Sequence, residues 1–279
     1  MLRNLAGVEA PSWNHHTVSW PIADCRMPIA GLLLLRSCAM HAIAIIPARL
    51  ASTRLPRKIL REIAGRPMLA HVVEAARRCP QLADVIVATD SDEVLAVCKQ
   101  NGWHAEMTSS AHRSGTDRVW EVAQRVAADA YVNVQGDEPL ARPEHISSLL
   151  TPMQDTRVLV STVKTPCRAA DVNNPNAVKV VTDLVGRALY FTRATVPFDR
   201  DTTGTVARYK HLGFYGYRRE ALEKFCQWPE SELERAERLE QLRFLDHGIE
   251  IHVAETPHDT VGVDTEEDLR RVTGILLRP

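Results

Sequence analysis

The stretch IAIIPARLASTRLPRK at residues 43–58 constrains the fold more than any other part of the chain. Its apolar run has no polar position, the pattern of a parallel strand covered on both faces. Pro47 lacks an N–H and is expected to end that strand. Beyond it lies a loop carrying Arg49, Arg54, Arg57 and Lys58, with Ser52 and Thr53 among them. In open α/β sheets ligands bind outside the carboxyl ends of the strands, so a basic loop there is a candidate triphosphate site. The same charges are compatible with a solvated surface loop.

From Met40 onward apolar strand patterns alternate with helical ones, which predicts a mixed, mostly parallel sheet flanked by helices. Strands are expected at 84–89, 130–134, 158–164 and 249–253, and helices at 68–78, 93–100 and 119–127. A further helix is expected at 232–245, where Leu233, Ala236, Leu239, Leu242 and Leu245 form an apolar stripe. Asp90 and Asp92 suit the start of the 93–100 helix, and Asp117 that of the 119–127 helix. The polar segment MTSSAHRSGTDR at 107–118 is long enough for a functional loop. After the strand at 130–134 comes Gln135-Gly136-Asp137-Glu138, a carboxylate on a tight turn at the same edge of the sheet. Mg²⁺ takes one or two carboxylates together with substrate phosphates, so Asp137 is a candidate ligand. Near the end, Asp264 precedes the capping pattern Thr265-x-x-Asp268.

Residues 1–39 show no strand or helix period and read as an extension ahead of a start at Met40. The run at 29–35 is too short to span a bilayer. With 34 basic and 35 acidic residues the formal net charge is -1, so no global field favours nucleic acid or membranes. The six cysteines form no C-x-x-C pair, which predicts reduced thiols in a cytoplasmic protein. No G-x-G-x-x-G or G-x-x-x-x-G-K-[ST] occurs, which weighs against hydride transfer and P-loop hydrolysis.

Four strings resemble one family, in order along residues 43–272. PARLASTRLPRKIL is similar to the PARxxSTRLPGKPL signature of sugar-activating nucleotidyltransferases, above all the 3-deoxy-manno-octulosonate (Kdo) cytidylyltransferases. It departs at Arg57, usually glycine, and at Ile59, usually proline. HRSGTDR resembles that family's base-recognition motif, VNVQGDEPL its metal motif, and VGVDTEEDL its second metal motif. ALYFTRATVPFDR, YKHLGFYGYR and LEQLR also match.

The resemblance implies a Rossmann-like fold of the nucleotide-diphospho-sugar transferase type. A smaller part, about 185–245, would bind sugar and form a homodimer interface. It further implies CTP and Kdo as substrates, giving CMP-Kdo and pyrophosphate for lipopolysaccharide synthesis. Mg²⁺ would sit on Asp137 and Asp264, bringing the sugar's anomeric hydroxyl to the α-phosphate and lowering the hydroxyl's pKa. Arg49 and Lys58 would join the aspartates as catalytic groups. The nucleotide would be held by Arg49, Arg54, Lys58, Ser114, Gly115, Arg118 and Gln135, and the sugar by Arg193, His211, Tyr215, Glu240 and Gln241. Glu138 reads as structural. Alternatives are a cytidylyltransferase for another acidic sugar, such as a sialic acid or an amino analogue of Kdo, and a non-catalytic nucleotide-sugar sensor.

Overall fold

The computed structural model describes residues 40–52, 54–201 and 204–277. The expected extension at 1–39 and Thr53 of the basic loop lie outside these residues. In chain order the strands are β1 (Ala42–Ala48), β2 (Glu62–Ile63), β3 (Arg66–Pro67), β4 (Leu82–Thr89), β5 (His104–Met107), β6 (Ala130–Asn133), β7 (Val160–Pro166), β8 (Lys179–Thr182), β9 (Ala188–Thr192), β10 (Tyr209–Tyr217) and β11 (Ile251–Glu255). The helices are α1 (Met68–Arg77), α2 (Asp92–Gln100), α3 (Gly115–Arg125), α4 (Pro143–Leu150), α5 (Ala169–Val172), α6 (Arg219–Gln227), α7 (Glu232–Glu237), α8 (Leu242–Asp246) and α9 (Glu266–Leu276).

Among the described residues nine strands make one mixed sheet, ordered β11-β7-β10-β6-β1-β4-β5, with β8 on β10 and β9 on β8. β1 runs parallel to both β4 and β6, whereas β10 is antiparallel to β6, β7 and β8. β1 sits inside the sheet because its side chains have apolar cover on both sides. Ala42, Ala44, Ile46 and Ala48 enter one core with α1; Ile43 and Ile45 enter the other with Val119 and Val122 of α3.

Pro47 does not end the strand. Pairing with β4 continues through Pro47 opposite Ala88 and Ala48 opposite Thr89. Pairing with β6 stops at Ile45 opposite Asn133, followed by a bond from the Val134 N–H to the Ile45 carbonyl. Pro47 lies two residues on and faces the same side as Ile45, where β6 has already turned away, so its missing N–H leaves no gap in the ladder.

Two helix expectations change. α3 starts at Gly115 with Ser114 as N-cap, its hydroxyl accepting the Asp117 N–H at 3.0 Å while the Asp117 carboxylate accepts the Ser114 N–H at 3.1 Å. Asp117 therefore occupies the third position of a capping box rather than the cap itself. The helix expected at 232–245 breaks into α7 and α8, with Arg238 between them at φ 55°. A strict spacing of three drifts round a helix of 3.6 residues per turn, so the five apolar positions cannot share one buried face. The break lets Leu239 and Leu242 go inward and leaves Glu240 and Gln241 beside the central cavity.

Candidate functional site

Three distant parts of the chain meet beyond the carboxyl ends of β1 and β6. The turn after β6 carries Asp137. Its Gly136 is required, because a Cβ there would lie 2.8 Å from the Pro47 carbonyl oxygen. The segment before α9 is bonded to this turn by the Val263 N–H on the Asp137 carbonyl at 2.9 Å, which sets Asp264 beside it. Between the carboxylates comes Lys58, at the start of a short 3-10 turn (Lys58–Leu60), its Nζ 2.5 Å from Asp137 Oδ2 and 2.9 Å from Asp264 Oδ1. Burial alone lowers the Lys58 pKa, but the charges and hydrogen bonds of Asp137 and Asp264 outweigh it and the net shift is upward. Arg54 adds a second cation at 3.1 Å from Asp264 Oδ2.

Arg54, Asp137 and Asp264 border a cavity of about 630 Å³, within the size range of small-molecule sites; Lys58 touches it through the two carboxylates it bonds. Gln135 and Gly115 line the same cavity, Gly115 lying against the Gln135 amide. β10, the link between α7 and α8 and the chain beyond β9 line it too, contributing His211, Tyr215, Glu240, Gln241 and Arg193. His211 Nε2 meets the Thr162 hydroxyl at 3.0 Å, and burial pulls its pKa down to about 3. The imidazole is therefore neutral and can offer a hydrogen bond, not a charge. Glu240 accepts the Thr116 hydroxyl at 2.9 Å, while burial raises its pKa. Gln241 is nearly inaccessible, and its Nε2 has no hydrogen-bond partner among the described residues. Burial likewise raises the Tyr215 pKa well above the usual phenol value.

Not every expected residue reaches the cavity. Arg118 is 0 % exposed; it donates to Thr108 and, at 2.8 Å, to Asp90, so it ties the loops after β4 and β5 from within. A guanidinium with no accessible surface does not touch a nucleobase in this arrangement. Ser114 spends its hydroxyl on the α3 cap. Arg49 follows β1 half-buried and is not among the cavity-lining residues.

Sequence reasoning missed a charged pair on the cavity wall. Lys210 Nζ lies 2.9 Å from Asp259 and 3.0 Å from the Thr260 carbonyl, and Arg168 reaches the other Asp259 oxygen at 3.1 Å. Lys210 stands beside His211 in YKHLGFYGYR, and Asp259 shortly precedes VGVD, so both were within the quoted stretches or next to them. Glu138 is tied to the same loop by the Thr260 hydroxyl at 2.7 Å; burial, then the neighbouring Asp137 charge, pushes its pKa up to about 7.

Among the described residues no group of three or more His, Cys, Asp or Glu is placed to hold a metal ion. Asp137 and Asp264 nevertheless present oxygens to one cation, the Lys58 ammonium. A hard divalent ion that completes its shell with water and substrate oxygens needs no more than such a pair.

A mostly parallel sheet with carboxylates and cations gathered at its ligand edge defines an α/β protein built to handle phosphorylated ligands. The comparisons with known proteins name the class more closely. Residues 43–251 match the family model described as cytidylyltransferase. A 3-deoxy-manno-octulosonate cytidylyltransferase of Koribacter versatilis is 69% identical over 85% of this chain and 90% of its own. One of Acidobacterium capsulatum is 55% identical over 86% of this chain and 98% of its own. A solved structure of a CMP:2-keto-3-deoxy-manno-octonic acid synthetase complexed with CTP superposes with a TM-score of 0.81 at 42% identity, covering 85% of this chain and 98% of that one. The chain belongs to the 3-deoxy-manno-octulosonate cytidylyltransferase family. A 4-diphosphocytidyl-2C-methyl-D-erythritol synthase of Anaerococcus prevotii, 17% identical with a TM-score of 0.58, shares the fold.

Proposed function

We propose that the protein activates Kdo with CTP, forming CMP-Kdo and pyrophosphate for lipopolysaccharide synthesis in the cytoplasm. The observation that carries this reading is the meeting of Asp137, Asp264, Lys58 and Arg54 beside one cavity that Arg193, His211, Tyr215, Glu240 and Gln241 also line. The charged cluster suits a triphosphate and the polar lining an acidic sugar. The family relatives supply the identity of both substrates.

Asp137 and Asp264 would hold Mg²⁺, which supplies positive charge to the α-phosphate and lowers the pKa of the attacking hydroxyl when bound. Lys58 and Arg54 offset the charge on the departing pyrophosphate. Arg49 is free of any hydrogen bond or ion pair to the described residues and stands close enough in sequence to swing to the phosphates. Gln135 and Gly115 border the nucleoside. In this reading Arg118 and Ser114 act on the nucleotide at one remove, by fixing the loop and helix start that carry Gly115. The unpartnered Gln241 amide and the neutral His211 provide hydrogen bonds to sugar hydroxyls, and Arg193 a charge for the sugar acid. Free, half-buried Cys167 and Cys226 accord with a reducing compartment.

Pyrophosphate release with CTP and a panel of acidic sugars tests the substrate assignment; release with a sialic acid but not with Kdo would overturn it. Asp137→Asn and Asp264→Asn should each lower turnover by about 10²-fold or more, as expected when charge stabilisation of a transition state is removed. Normal turnover of Asp264→Asn at limiting Mg²⁺ would remove that residue from the metal site.

A further inference from the structure

We infer that Lys179 is a positioning residue for the sugar-acid end of the cavity, an inference that rests on the reading above. Lys179 opens β8 and is 0 % exposed. An ammonium has three N–H donors. Three main-chain carbonyls take them, those of Asn174 at 2.8 Å, Ala177 at 2.6 Å and Arg193 at 2.7 Å. No ion pair to a carboxylate accompanies them among the described residues. Burying a cation without a counter-ion is costly, and a neutral side chain of similar shape would avoid that cost. What the charge accomplishes is to draw carbonyls from two separate segments, the loop after α5 and the end of β9, onto one point.

Both segments form the cavity wall at Asn174, Ala177 and Arg193. The same wall is fastened from the other side by Glu237, whose carboxylate accepts the Thr192 hydroxyl at 2.5 Å and the Arg193 N–H at 2.9 Å. The Arg193 guanidinium in turn donates to the carbonyls of Glu237 at 2.7 Å, Pro175 at 2.9 Å and Arg238 at 3.3 Å. Three of its five donors are thus committed to the wall and two remain for a ligand. Arg193 is fixed at its main chain by Lys179 and Glu237, and at its side chain by the Pro175 carbonyl of the 174–177 loop and by the Glu237 and Arg238 carbonyls at the end of α7. Lys179 itself is not among the cavity-lining residues, so its effect on a ligand passes through Arg193 and the 174–177 loop. None of these contacts reaches Lys58, Asp137 or Gln135 at the nucleotide end.

The test is the kinetic split between the two substrates in Lys179→Met, which keeps the length and removes the donors, and in Glu237→Gln, which keeps the shape and removes the charge. In both, KM for Kdo should rise by about tenfold or more, while KM for CTP and calorimetric CTP affinity change by less than about twofold. If KM for Kdo is unchanged, or if both substrates weaken together with a fall in thermal midpoint, the positioning role is overturned and Lys179 is a stability element. Should Lys179→Met not be recovered folded, Glu237→Gln decides by the same criteria. Wild-type protein that releases no pyrophosphate from CTP and Kdo would instead bring down the functional reading, and the positioning role with it.

Discussion

Lys58 and Glu138 show how a single residue's setting decides what it can do. Lys58 is kept charged by two carboxylates that a metal ion would also require. Its value lies in a charge that strengthens its contacts as pyrophosphate leaves. Lys58→Met should therefore lower kcat by about 10²-fold or more while CTP affinity, measured by calorimetry, changes much less. Glu138 has the opposite problem, a carboxyl raised from its ordinary 4.5 to about 7 by burial and by Asp137. Because the folded pKa is the higher one, protonation favours the folded state. The stabilisation is complete below about pH 4.5 and is lost as pH rises through about 7. Glu138→Gln should flatten the pH dependence of the thermal midpoint over that window in metal-free buffer; an unchanged slope would show that Glu138 is not the group responsible. Asp137, Asp264 and Lys58 were legible in the sequence because each sits in a distinctive string. The burial of Arg118 was not, since its partners Asp90 and Thr108 lie in other loops and nothing local signals their approach.

At the level of elements, the departure at Arg57 has a structural meaning. Arg57 adopts φ 56°, ψ 31° directly before the Lys58 turn, the left-handed region in which glycine is at ease and other residues are not. Its side chain points out to pair with Glu93, and both partners are largely exposed. Such a pair is worth about 0–1 kcal/mol, against roughly 1–2 kcal/mol for the left-handed backbone. Restoring glycine also returns roughly 0.5–1 kcal/mol of chain entropy to the unfolded state. Arg57→Gly should accordingly leave stability within about 1 kcal/mol, or about 2–4 °C in Tm, and leave kcat intact because the Arg57 side chain is paired with Glu93 and not with Asp137 or Asp264. A large loss of turnover would mean that the guanidinium reaches the triphosphate during the reaction. Ile59, the other departure, is buried and packs under Gly136, so it supports the turn carrying Asp137.

For the whole molecule, the alternation of apolar runs with amphipathic stretches was enough to predict a mostly parallel sheet, since β1 and β6 carry their burial in their composition. The antiparallel insertion of β10 between β6 and β7 was not legible, because strand order depends on pairings between segments far apart in sequence. That insertion brings His211 and Tyr215 to the cavity, while β9 pairs with β8 and the chain just before it bridges β11 through Arg187 and His252. On β9 Leu189 is 62% exposed, in the chain beyond it Phe198 is 83% exposed, and Leu184 and Val185 project at the turn before it. Single exposed apolar residues are ordinary, but four within residues 184–198 make this stretch a candidate contact surface. We propose that a second copy of the chain covers it, since a twofold dimer lets the same patch meet itself. Light scattering coupled to size exclusion should give a dimer for the wild type, and the pair of changes Leu189→Lys and Phe198→Ser should shift it to monomer without disturbing CTP affinity. A wild-type monomer at micromolar concentration would refute the interface, and a dimer insensitive to both substitutions would place it on another face.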